Sequence, residues 1–248
     1  MNIHRFLVLI LTVLMAGMAD ADSIRVAAAS NFRQAMTSLA RQFEEETGHQ
    51  AILIFGSSGK QYAQITHGAP FDAFFSADSA RPALLEELGK AVPGSRFTYA
   101  YGQLVLWYPR ATLPELNASI LETGEFNHLA IANPKLAPYG KAAEETLATL
   151  GLRDSLSQRL VRGENIAQTF QFVMSGNAEL GFVAWSQLQS FEPLTEGSYW
   201  PVPPGMHRPI EQQAVQLRDD PVTRAFMLFV RSDTAIKIIR EHGYNTPR

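Results

Sequence analysis

Cysteine is absent from the 248-residue chain, which excludes a disulfide scaffold, a zinc ribbon, an iron–sulfur cluster and a cysteine nucleophile. A basic excess is also missing: 21 Lys and Arg stand against 24 Asp and Glu, a formal net charge of −3. A protein that grips nucleic acid through many phosphates needs the opposite balance. Charged residues are only 18% and apolar residues 46%, a globular profile that fits neither a disordered nor a coiled-coil chain. The histidines, His4, His49, His67, His128, His207 and His242, include no pair at three- or four-residue spacing, so nothing in the pattern supports a metal centre. Beyond the N-terminus no apolar run reaches the roughly 20 residues that span a bilayer.

The one long apolar run is at the start. His4 and Arg5 precede a nearly unbroken apolar stretch from Phe6 to Met18, and Ala19-Asp20-Ala21 has the small-x-small form of a signal-peptidase site. Residues 1–21 are therefore expected to be a cleaved secretory signal, with Asp22 as the first mature residue. With no Cys at the cleavage point to carry a lipid, the exported chain diffuses freely. It stays with its cell only behind an outer membrane, so a periplasmic location is expected.

The mature chain alternates strand and helix signals. Ile24 to Ala29 is a short apolar run, followed by Ala35, Met36, Leu39, Ala40 and Phe43 at helical spacing. Ala51 to Phe55 reads as a strand, Gly56-Ser57-Ser58-Gly59 opens a short helix, Phe71 to Ser76 is a buried strand, and Pro82 to Leu88 is a helix. Tyr101 to Tyr108 reads as one long strand covered on both faces. A second series follows: a strand at Leu129 to Ala132, helices at Tyr139 to Leu150 and Ile166 to Met174 closed by Gly151 and Gly176, and a strand at Leu180 to Ala184. Gln213 to Leu217 and helices from Pro221 and Thr234 complete it. The alternation predicts an α/β fold with parallel sheets, and the length allows one large domain or two lobes of about a hundred residues each.

Four places join a strand end to a helix start through small or polar residues: Ser30-Asn31, Gly56-Ser57-Ser58-Gly59, Pro138-Tyr139-Gly140 and Asn165-Ile166. A helix start presents unpaired N–H groups and a partial positive charge, which suits an anion. Each Ser or Asn also has a plainer reading as a helix cap. The double Ser between two Gly is the least cap-like of them. Sharper motifs fail on spacing. A phosphate loop needs Gly where Ile54 stands and Ser or Thr where Gln61 stands. A nucleophile elbow needs Gly-x-Ser-x-Gly, one residue more than this turn has. Asp72 and Asp78 flank a strand with no acid–base partner in view and read as strand-end or capping residues, and Trp107, Trp185 and Trp200 as packing aromatics. Lys60 reads as a solvated helix residue.

Taken together, Ala27-Ala28-Ala29-Ser30-Asn31-Phe32, Gly56-Ser57-Ser58-Gly59, Gly68-Ala69-Pro70-Phe71-Asp72, Phe75-Ser76-Ala77-Asp78, Asn133-Pro134 with Tyr139-Gly140, Leu180-Gly181-Phe182-Val183 and His242-Gly243-Tyr244 resemble the periplasmic molybdate-binding proteins over the whole mature chain. The resemblance implies a two-lobed type II periplasmic binding fold, each lobe a mixed, mostly parallel sheet flanked by helices. A hinge joins the lobes, and they close on molybdate or tungstate for delivery to an ABC permease. It implies a monomer that is not an enzyme, takes no cofactor and has no protein ligand to the oxyanion's metal. Residues 22–100 and 188–248 are expected in one lobe and 101–187 in the other. Carried over residue by residue, the site is Ser30, Asn31, Ser58, Tyr139 and Ile166. Ala184 stands where many members have a Tyr donor, and Tyr139 is expected to compensate through its N–H or its hydroxyl. A receptor for sulfate or another oxyanion, and an exported α/β hydrolase using Ser30 or Ser58, are the alternatives.

Overall fold

The computed structural model describes residues 22–109, 116–190 and 197–247; the expected signal at 1–21 lies outside them. The first sheet is built by strands β1 (Ser23–Ala29), β2 (Gln50–Gly56), β3 (Ala73–Ser76), β4 (Phe97–Gly102) and β10 (Ile210–Gln216), in the order β2-β1-β3-β10-β4. The second contains β5 (Leu104–Tyr108), β6 (Leu129–Ala132), β7 (Leu160–Gly163), β8 (Leu180–Ala184) and β9 (Ser198–Pro201), in the order β7-β6-β8-β5-β9.

Period-two alternation explains how each sheet carries helices on both faces. Val26 and Ala28 of β1 and Phe75 of β3 pack with Met36, Leu39 and Phe43 of helix α1 (Arg33–Thr47) and with Phe226 of α8 (Pro221–Phe229). Ala27 and Phe74 turn to the other face, against Ile65 of α2 (Ser58–Thr66) and Leu85 of α3 (Ala80–Glu87). The second sheet repeats the device. Leu104, Leu106, Ile131 and Phe182 meet Ala143 and Leu147 of α5 (Pro138–Thr149), while Val105, Trp107 and Val183 meet Phe170 and Val173 of α6 (Ile166–Ser175). Burying such a side chain contributes roughly 1.5–3 kcal/mol, so the alternation fixes the register of every strand.

Three expectations are corrected. The sheets are mixed, as the resemblance implies, and not parallel throughout as the alternation alone predicts: β10 runs antiparallel to β3 and β4, and β5 antiparallel to β8 and β9. The apolar run Tyr101 to Tyr108 is two strand ends, because the chain leaves the first sheet after Gly102 and enters the second at Leu104. A side chain on Gly102 would overlap the Tyr139 hydroxyl, which explains the glycine at the crossing. Finally, Ser198–Pro201 pairs with β5 in the second sheet, so the return crossing lies between Pro201 and Ile210 and not near 188. The short helices α4 (Ser119–Thr123) and α7 (Trp185–Gln189) were not foreseen, and α9 (Asp233–Glu241) matches its expected position. Among the described residues no helix is long and apolar enough to cross a membrane.

Candidate functional site

The four turns singled out from sequence all follow the carboxyl ends of strands: Ser30 follows β1, Ser57-Ser58 follow β2, Pro138-Tyr139 come after β6 and Asn165-Ile166 after β7. In open α/β sheets that edge is where ligands bind. Here the edges of the two sheets face each other. Ser30, Asn31, Ser58, Tyr139 and Ile166 line one small cavity together with Gly56, Ser57, Ala77, Ala137, Pro138 and Asn165. The cavity is small and is walled by the strand-to-helix turns of both sheets. No charged side chain lines it.

The two serines of the second turn divide their labour. Ser57 is the N-cap of α2, its Oγ accepting from the Lys60 N–H at 3.4 Å. Ser58, at the first helical position and 1% exposed, has its Oγ fixed by the Ala77 N–H at 2.9 Å. With that oxygen accepting from the backbone, its own proton is left to donate into the cavity. Ser30 opens the 3-10 turn Ser30–Phe32, which has no side-chain cap.

Asn31 acts through its backbone. Its Nδ2 donates to Gln212 Oε1 at 2.8 Å and Tyr244 Oη at 3.0 Å, and its carbonyl accepts from Tyr244 Oη at 2.7 Å and Ser186 Oγ at 3.4 Å. The side chain is a clamp on the turn, and the main-chain N–H is the donor of Asn31 that these bonds leave over. On the opposite side Pro138 occupies the first position of α5 and carries no N–H, which makes Tyr139 the first amide donor of that helix. Gly140 follows because any side chain there would collide with the Ala132 carbonyl. Asn165 caps α6, its Oδ1 accepting from Ala167 and Gln168 N–H at 3.0 and 3.1 Å. The Ile166 N–H is the amide that this cap leaves over.

The Tyr139 hydroxyl lies against Gly102, with the Gln212 side-chain amide as its polar neighbour. It therefore sits at the crossing between the sheets, and the expected compensation for Ala184 is left to the Tyr139 N–H. Ala184 is fully buried at the end of β8 and brings no hydroxyl. Burial holds the Tyr139, Tyr99 and Tyr244 phenols above their ordinary range; neighbouring phenols add to this for Tyr99 and Tyr139, while hydrogen bonds to Ser186 and Asn31 oppose it for Tyr244, and all three stay neutral.

The remaining candidates resolve as packing or support. Asp72 is buried, with Oδ2 accepting from the Arg25 N–H at 2.6 Å and Oδ1 3.5 Å from Arg218. Asp78 caps the start of α3 and pairs with Arg81. Trp107 stacks on Phe170 at 4.9 Å and Trp185 packs on Tyr199. Lys60 is the solvated helix residue expected, 54% exposed, and it pairs with Glu164 at 3.1 Å. Among the described residues no group of three His, Asp or Glu is placed to hold a metal.

Mixed sheets facing each other across a cavity of neutral donors define a receptor for a small solute, and residues 24–245 match the family model described as bacterial extracellular solute-binding protein. The chain belongs to that family. It is 45% identical to the molybdate-binding protein ModA of Azotobacter vinelandii, over 98% of each chain. To its Rhodobacter capsulatus counterpart it is 43% identical, over 92% of this chain and 90% of that one. The solved periplasmic molybdate-binding protein of Azotobacter vinelandii superposes with a TM-score of 0.87 at 40% identity, covering 91% of this chain and all of the other.

Proposed function

We propose that this protein binds molybdate, and tungstate with it, in the cavity between its two lobes and delivers the oxyanion to the membrane permease of an ABC importer. The observation that carries the reading is the meeting of Ser30, Asn31, Ser58, Tyr139 and Ile166 around one cavity with no charged lining. Molybdate carries no proton at pH 7, so a pocket of donors alone suits it. Phosphate is partly protonated and calls for a carboxylate acceptor, which this lining lacks. Hydrogen bonds to a charged group contribute roughly 1.5–3 kcal/mol each, so a handful reaches the ~8 kcal/mol of micromolar binding after the costs of association and lobe closure.

In this reading two hydroxyls and three amides surround the dianion, and the starts of α2, α5 and α6 add their dipoles. The protein is a monomeric carrier that works in the periplasm and performs no catalysis. Its lobes divide at the two crossings between sheets. Calorimetric titration of the mature protein with molybdate, tungstate, sulfate and phosphate tests the assignment. Micromolar or tighter binding of the first two is expected; heat from sulfate alone, or turnover of a phosphoester lost with Ser58→Ala, would overturn it.

A further inference from the structure

Beside the cavity, the rim of the first lobe donates three groups to the second. The Gly59 N–H bonds to the Leu136 carbonyl at 2.8 Å. Arg81, held in place by Asp78, gives Nη2 to the Lys135 carbonyl at 3.2 Å. Lys60 Nζ meets both oxygens of Glu164 at 3.1 and 3.4 Å. The ammonium and carboxylate of the last pair are about half exposed, 54% and 43%, and such pairs are weak and screened by salt. The Gly59 bond differs in kind. It is backbone to backbone, and it ties the turn that carries Ser58 to the turn that carries Tyr139.

Gly59 has no conformational reason to be glycine. It lies inside α2 with φ outside the left-handed range, where alanine is the better helix former. What excludes a side chain is the other lobe: a Cβ at this position would stand 2.9 Å from Leu136 Cα and 3.0 Å from its carbonyl oxygen, with Arg81 Nη2 also at 3.0 Å. The arginine end can swing aside; backbone atoms cannot.

We infer that Gly59 is a positioning residue for closure: its bare Cα lets the two anion-bearing turns approach, and its N–H bonds across the cleft only once they have done so. A ligand shifts a two-state equilibrium only through contacts that differ between the states, and this bond is such a contact without touching the anion. The inference rests on the binding function proposed above and goes beyond it, because it gives a residue outside the cavity lining control over affinity.

The test compares the parent with Gly59→Ala and Glu164→Gln by calorimetry, by ligand-free melting, and by the distance between spin labels placed one on each lobe. Gly59→Ala is expected to lower molybdate affinity tenfold or more and to leave the labels farther apart at saturation, while the ligand-free protein melts at or above the parent temperature. Glu164→Gln is expected to cost less than threefold, with the difference vanishing at high salt. Parent-like affinity and label distance in Gly59→Ala would overturn the inference. So would a variant that fails to fold or melts well below the parent without ligand, since its own lobe would then be what excludes the side chain. A parent that binds sulfate and not molybdate refutes the proposed function instead, and the same comparison then proceeds with sulfate.

Discussion

The two sides of the cavity would hold an anion by different means. The first-lobe side presents hydroxyls, Ser30 and Ser58, beside its amides. The donors proposed on the second-lobe side are the main-chain N–H groups of Tyr139 and Ile166, for the Tyr139 hydroxyl stands at Gly102 and the Ile166 side chain is buried in the apolar core. A hydroxyl is lost with its side chain, whereas an amide survives any substitution that leaves the backbone in place. One side is therefore sensitive to deletion of an atom and the other to displacement of a turn.

The largest effect is expected where displacement is forced. In Gly140→Ala the new methyl collides with the Ala132 carbonyl, so α5 must shift its first turn; a loss of more than about 3 kcal/mol, over 100-fold in molybdate affinity, is expected by calorimetry. Near-parent binding would show that the second lobe's turn is not a donor. Ser58→Ala removes a donor and also strands the Ala77 N–H, for an expected cost of about 1–3 kcal/mol in binding; unchanged affinity removes Ser58 from the site. Asn165→Ala strips the cap from α6 and should lower stability by about 1 kcal/mol in urea denaturation, with affinity reduced as the Ile166 amide frays. Tyr139→Phe sharpens the comparison from the opposite end, since it deletes only a hydroxyl that stands at Gly102 beside Gln212: molybdate affinity within twofold of the parent is expected, and a tenfold loss would put that hydroxyl on the ligand.

The smallest effect is one of pH. Burial holds the half-buried His242 imidazole below its ordinary value of 6.5, against an opposing pull from Glu241. Its neutral ring lies 3.0 Å from Ser38 Oγ. A base depressed in the folded state binds protons more readily when unfolded, so its contribution is complete above about pH 6.5 and declines as the pH falls through the lowered value. Melting curves between pH 8 and pH 5 should show a shallower acid-side decline in His242→Gln than in the parent.

The features legible in the sequence were those set by local rules. Helix starts betrayed themselves through Ser57, Pro138 and Asn165, and strand cores through short apolar runs, so the four turns stood out before any coordinates. What stayed hidden was settled by distant partners. Asn31 looks like a cap and is a clamp, because Gln212 and Tyr244 lie 181 and 213 residues away. Tyr101 to Tyr108 reads as one strand because nothing in its composition marks the change of sheet at Gln103; only the crowding of Gly102 by Tyr139 reveals it. β9 escaped notice because its four residues are partly exposed and pair on one side alone.

Tyr244 bonds to both the side chain and the carbonyl of Asn31, and Asn245 bridges to Tyr101, so the segment after the last helix closes on the turn that follows β1. During synthesis the Asn31 turn waits 213 residues for this partner. A variant cut just before Tyr244 is expected to keep both sheets while the Asn31 turn loses two of its hydrogen bonds.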